Sequence, residues 1–95
     1  MVMGAIRKCT GNFVATQVDD EILIVDLEGG ELFSLTGTAK AVWQAIDGQR
    51  SEEQIARQMA QLYEADPQVI SNDVADLLSQ FEGAALIERG QHKPL

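Results

Sequence analysis

Ninety-five residues allow one domain, and a hydrophobic content of 45% is enough for one modest core. Fifteen acids against seven Lys and Arg give a formal charge of −8, which argues against unaided binding to nucleic acid or anionic lipid, because phosphate contacts need a cationic surface. The lone Cys9 and lone His92 cannot form an internal disulfide, a cysteine-rich zinc site or a His-based triad, so a non-catalytic domain without metal or cofactor is expected.

The opening MVMGAIRKCT is too short, and too broken by Gly4 and Arg7, for a signal peptide or a membrane span, so the expected location is the reducing cytoplasm. The first dozen residues and the last six, Gly90 to Leu95, read as loose ends around one domain, residues 1–95, with an ordered core of about 13–88. Phe13 to Val18 is rich in β-branched residues and reads as a strand. Asp19-Asp20-Glu21 breaks it as a solvated turn, and Ile22 to Asp26 is the strongest strand signal in the chain. Leu27-Glu28-Gly29-Gly30 then leads into a third strand, Glu31 to Leu35, the paired glycines supplying the positive φ that a hairpin turn requires.

From Thr36 the period becomes helical. Thr36 caps a helix whose apolar face is Ala39, Val42, Trp43 and Ile46, and Asp47-Gly48 stops it with Gly48 at the left-handed C-cap. Ser51 and Gln54 match a capping box, after which Ile55, Met59, Leu62 and Tyr63 form the buried stripe of a second helix. Asp66-Pro67 starts a third, with Ile70, Val74, Leu77, Leu78 and Phe81 on one face and an end at Gly83. Leu86-Ile87-Glu88 is a short extended tail. A three-stranded antiparallel sheet followed by three helices is an α+β fold resembling a winged helix-turn-helix with its sheet placed first.

No cluster has the geometry of an active site. Consecutive carboxylates such as Asp19-Asp20-Glu21 point to opposite faces of a strand, and Glu52-Glu53 favours a helix dipole. Arg7 and Lys8 could lower the Cys9 pKa, but no general base lies nearby, and Gly29-Gly30 has no phosphate-loop context. From Gln58 to Glu88 there is no Lys or Arg, while Glu64, Asp66, Asp73, Asp76, Glu82 and Glu88 are acidic, so either of the last two helices would repel a DNA groove. Trp43 is read as a core anchor. The sheet edge remains. A meander leaves its last strand, Glu31 to Leu35, with unpaired backbone groups; these either accept an added peptide strand beside the third helix or are simply blunted against aggregation.

Phe33-x-Leu35, Thr36-Gly37-Thr38-Ala39, Val42-Trp43 and Asp47-Gly48-x-Arg50-Ser51, in that order, resemble the PqqD-like family, which includes the recognition elements for ribosomally made, post-translationally modified precursor peptides. Ile55, Leu62-Tyr63, Val69, Asp73-Val74, Leu77-Leu78 and Leu86-Ile87 extend the similarity to nearly the whole chain. Thr36 stands where Asn is usual and Ala39 where Gly is usual, neither expected to touch the groove. The resemblance implies a non-enzymatic domain that holds a precursor's leader segment as an added strand beside the third helix. It would present that segment to a modifying enzyme, such as a radical SAM protein, or to a leader peptidase. Carried over by position, the peptide-binding residues would be Glu31, Leu32, Phe33 and Ser34 on the strand and Val69, Asp73, Leu77 and Gln80 on the helix. Asp73 and Asp76 would suit a leader carrying Lys or Arg. A monomer and an edge-paired homodimer are both compatible with an open edge. An acidic winged-helix interaction subunit without a peptide substrate is the alternative, and a DNA-binding regulator the weaker one.

Overall fold

The computed structural model describes residues 4–90; residues 91–95, including His92 and most of the expected C-terminal loose end, lie outside the described residues. The elements run β1 (Ala5–Lys8), β2 (Phe13–Val18), β3 (Glu21–Asp26), β4 (Leu32–Leu35), α1 (Gly37–Ala45), α2 (Glu52–Tyr63), α3 (Pro67–Gly83) and β5 (Ile87–Gly90). β2, β3 and β4 form an antiparallel meander in that order, and β1 pairs antiparallel with β5 as a separate two-stranded sheet.

The second sheet departs from the expected loose ends. Ala5–Lys8 pairs with Ile87–Gly90, Arg7 opposite Glu88 and Ile6 opposite Arg89. The other side of β1 bonds to the α1–α2 loop: Ile6 N–H donates to Arg50 O and Gly48 N–H to Ile6 O, both at 2.9 Å. Ile6 is fully buried, so the apolar residue just before Arg7-Lys8 anchors this segment. An Arg7–Glu88 ion pair crosses the ladder, and Arg89 reaches Glu52 at the start of α2 (2.8 Å) and Glu82 near the end of α3 (3.3 Å).

The core lies between the meander and the helices. Phe13, Ile22, Ile24 and Leu35 face Val42, Trp43, Ile55, Met59, Val74, Leu78 and Phe81. Trp43 is its centre, edge-to-face with Phe13 (5.3 Å) and with Phe81 (5.4 Å), and Lys8 Nζ lies 4.7 Å from its ring. Each such buried side chain contributes about 1.5–3 kcal/mol relative to exposure.

The caps follow the sequence with two exceptions. Ser51 accepts from Gln54 N–H while Gln54 accepts from Ser51 N–H, completing the capping box, and Asp66 accepts from Gln68 N–H behind Pro67. Thr36 occupies the cap position of α1, but its hydroxyl makes no capping bond. Gly48 has the positive φ expected of it (84°), yet α1 ends earlier, with Ile46 as C-cap; Gly48 instead turns the loop towards β1, where Asp47 accepts from Gln49 and Arg50 N–H. One stretch of the expected core is also corrected. Leu62 and Tyr63 are 61% and 41% exposed, because the last turn of α2 carries them beyond the layer that Ile55 and Met59 bury.

Candidate functional site

The hydrogen-bond parity of the meander decides which backbone groups are free. Asp26 N–H donates to Glu31 O across the β3–β4 turn, and Leu27 N–H donates to Asn12 O across β2–β3, both at 2.9 Å. In an antiparallel ladder the residues of a strand alternate between its two neighbours. Even-numbered residues of β3 therefore bond β4 and odd-numbered ones bond β2. With Ile24 opposite Phe33 and Ile22 opposite Leu35, Phe33 and Leu35 direct their N–H and C=O inward. Leu32 and Ser34 direct theirs to the open edge.

That edge has a wall. Leu32, Phe33, Ser34 and Leu35 line a cleft of about 350 Å³ whose far side is Ala39 of α1 and Leu77, Gln80 and Phe81 of α3. At the Leu35 end it continues into a second depression, about 360 Å³, lined by Thr36, Thr38, Ala39, Asp73, Asp76, Leu77 and Gln80. The opposite edge of the meander is different: β2 is exposed from Val14 to Val18, which is a bare edge rather than a groove. A larger pocket of about 400 Å³ lies between α2 and α3, but its Ala56, Ala60, Ala65 and Pro67 lining offers no unpaired strand edge, and the exposed Glu53–Arg57 ion pair is part of its lining.

Among the residues expected from sequence, Leu32, Phe33, Ser34, Leu77 and Gln80 come together in the cleft, and Asp73 borders its continuation. Glu31 precedes β4, and Val69, 53% exposed near the start of α3, lines neither depression. Ala39 lines both depressions and Thr36 the second, against the expectation that these two positions stay clear of the groove. The sequence pattern marks Leu35 and Phe81 only as strand and core residues; their place in the cleft depends on how α3 crosses β4, which no local pattern encodes.

Titration is perturbed away from this cleft. Burial pushes the Cys9 thiol up, with Glu88 adding to it and Arg7 opposing, so the basic neighbours do not activate it. Burial beside the core lowers Lys8, against the attraction of Asp47. Among the described residues no group of three or more His, Cys, Asp or Glu is placed to hold a metal ion, and no helix is long and apolar enough to cross a membrane.

The profile of the family described as Coenzyme PQQ synthesis protein D (PqqD) matches residues 21–87, from the first residue of β3 into β5. The chain belongs to the PqqD family. A curated relative, the bifunctional coenzyme PQQ synthesis protein C/D of Methylorubrum extorquens, is 35% identical over 57 residues, 60% of this chain but 15% of that protein. The PqqD truncation of Methylobacterium extorquens PqqCD, solved by NMR and described as a functional, stand-alone recognition element, superposes with a TM-score of 0.65 at 25% identity, covering 93% of this chain and 96% of that one. TbiB1, solved with the TbiA(beta) leader peptide, has a TM-score of 0.77 at 22% identity and covers 92% of this chain and 99% of its own. A lasso peptide synthetase B1, solved with its leader peptide, reaches 0.76 at 20% identity, covering 88% and 98%. At those identities the last two establish a shared PqqD-like fold.

Proposed function

We propose that this PqqD-family domain binds the leader segment of a ribosomally made precursor peptide and presents it to a modifying enzyme. The leader adds as a fourth strand to β4. The observation that carries this reading is the parity of β4: the free N–H and C=O groups of Leu32 and Ser34 face a cleft walled by α3. Main-chain bonds to those two residues supply affinity, and alternate side chains of the added strand settle between Phe33 and the Leu77–Gln80 wall. Asp73 borders the continuation of this path; Glu31 and Val69, outside the cleft, have no part in it. Two structural neighbours are complexes with leader peptides, and a third is described as a recognition element, which supports the same use of the fold here.

On this reading the fold is a winged helix-turn-helix scaffold whose working surface is a sheet edge rather than a recognition helix. The domain performs no chemistry and needs no cofactor. It acts in the cytoplasm, handing the leader to an enzyme such as a radical SAM protein or a leader peptidase. A second copy pairing through β4 is disfavoured by charge, since two chains of −8 would meet.

The test first identifies a short precursor gene among those flanking this chain's own. Its fluorescein-labelled leader is titrated with the domain, and amide exchange is read with and without it. Binding in the nanomolar to micromolar range, about −8 to −12 kcal/mol, with Leu32 and Ser34 amides newly protected and Phe33 unchanged, is the expected result. Binding that leaves both edge amides exchanging as before overturns strand addition.

A further inference from the structure

Among the described residues the acids outside ion pairs fall into three groups: Asp26, Glu28 and Glu31 around the β3–β4 turn, Glu64 and Asp66 between α2 and α3, and a group of five that lines two adjoining depressions at the Leu35 end of β4. Arg7, Arg50, Arg57 and Arg89 are each spent on Glu88, Asp47, Glu53 and the Glu52/Glu82 pair, all away from the cleft. Around the Leu35 end of the free edge the acids are uncompensated. Thr36 lines both the depression bordered by Asp73 and Asp76 and another bordered by Asp19, Asp20 and Glu21. The exit from β4 thus lies between two acidic walls, one from the β2–β3 turn and one from α3. None of these five acids makes an ion pair among the described residues, although Glu21 accepts a hydrogen bond from Ser34 Oγ (2.8 Å), and Lys40, the nearest cation in sequence, lines neither depression.

The apolar part of the cleft and this acidic exit are arranged along one line, so an added strand would meet them in order. In a strand running antiparallel to β4, continuing the meander, the residues opposite Phe33 and Leu35 share the face of those side chains and meet Leu77, Gln80 and Phe81. Two residues further towards the peptide's N-terminus, the same face passes over Thr36 and Asp73. Building on strand addition as the binding mode, we propose that the cleft selects a basic extended peptide of the pattern basic-x-apolar-x-apolar, its Lys or Arg held between the Asp73/Asp76 wall and Asp19 and Asp20 of the β2–β3 turn. The same field steers such a peptide to the edge, which makes association sensitive to salt.

A random dodecapeptide display library, panned on the full chain and counter-selected on its Ser34→Pro variant, tests this. Enriched peptides are expected to carry Lys or Arg two residues before an apolar-x-apolar pair. A synthetic copy with that Lys changed to Glu is expected to bind at least tenfold more weakly at 50 mM NaCl, and the gap is expected to narrow at 500 mM. The double variant D73K/D76K, at exposed positions, is expected to close or reverse the preference, with circular dichroism confirming its fold; D73N/D76N is expected to reduce it. Enriched peptides that bind alike with Lys or Glu overturn the basic-peptide inference while leaving strand addition standing. Enrichment that is equal on Ser34→Pro overturns strand addition and the inference together.

Discussion

Leu32 lies directly opposite Val25 in the β3–β4 ladder, at a position where neither strand spends its backbone on the other. Ser34 repeats the arrangement opposite Leu23, and between them Phe33 is bonded inward to Ile24. Proline therefore separates the two populations. Leu32→Pro removes a backbone donor from the free edge, and Ser34→Pro removes one there together with the exposed Ser34 Oγ–Glu21 hydrogen bond; each should weaken peptide binding by at least about tenfold, while unfolding shifts by no more than about 1–2 kcal/mol. Phe33→Pro removes a ladder bond and a side chain packed on the core, and should unfold the domain. Urea denaturation with peptide anisotropy measures both; equal damage from Ser34→Pro and Phe33→Pro would contradict the parity.

Trp43 joins the sheet to the helices through its two edge-to-face contacts, with Phe13 from β2 and Phe81 from α3. Trp43→Ala should cost about 3–5 kcal/mol, a large share of the roughly 5–15 kcal/mol that stabilises a domain of this size. Trp43→Phe keeps an aromatic ring in the same place and should cost about 1–2 kcal/mol. Chemical denaturation of both variants distinguishes a core anchor from a surface aromatic, for which the two losses would be small and alike.

Arg89 ties β5 to both long helices through Glu52 and Glu82. Because its side chain is largely sheltered, Arg89→Ala should cost about 1–2 kcal/mol, above an exposed ion pair and below a buried one. The loss should be regional. Hydrogen exchange is expected to accelerate first at Ile6, whose N–H bonds Arg50 O, while the β2–β3 amides stay protected until global unfolding. Uniform acceleration would mean that β1 and β5 are no separate unit.

Asp47 sets an acid-side dependence of stability. Its carboxyl is held below the ordinary range, chiefly by the N–H of Gln49, with the Arg50 charge and N–H adding to this against a smaller desolvation effect. A lowered folded-state value means that the ionised form stabilises the fold at neutral pH, and that this contribution fades as pH falls through the ordinary carboxyl range to the lowered value. Asp47→Asn keeps an acceptor for the turn but has no proton to bind. Thermal melts from pH 7 to pH 2 should show wild type above the variant at neutral pH, with the gap shrinking in acid; a constant gap would assign the loss to geometry instead of charge.

Local chemistry made much of this fold readable. The Ser51–Gln54 box, Asp66-Pro67 and the Ile70, Val74, Leu78, Phe81 stripe are signals complete within a turn or two. β1 was not readable because its justification lies far along the chain: Ile6, between Ala5 and Arg7, becomes part of a strand only when Ile87–Gly90 and Arg50 are beside it. Leu62 and Tyr63 fit the helical period but fall where α2 has outrun the core, and periodicity carries no information about where a layer stops. The open strand was legible from the order of the meander. Its wall was only half legible, since Ala39 and Phe81 enter the cleft through the crossing of α1 and α3 over β4.

The start and the middle of α3 give the sharpest separation of wall from surface. Leu77 is partly buried against the core and lines both depressions beside β4, whereas Val69, two turns earlier, stands in solvent. Removing the Leu77 side chain down to Cβ takes away apolar area that an added strand would cover, at about 25 cal/mol per Å², so a contact of some 50 Å² corresponds to about tenfold in affinity. Leu77→Ala should therefore weaken a bound leader about tenfold, with a further cost of about 1–2 kcal/mol to stability from the part packed on the core. Val69→Ala should change affinity by less than about twofold, because an exposed valine truncated in place leaves the cleft as it was. Anisotropy titrations of both variants against one labelled leader decide the matter: if Val69→Ala matches Leu77→Ala, the peptide lies along the start of α3 and not against its middle, and the cleft beside Phe33 is not where it binds.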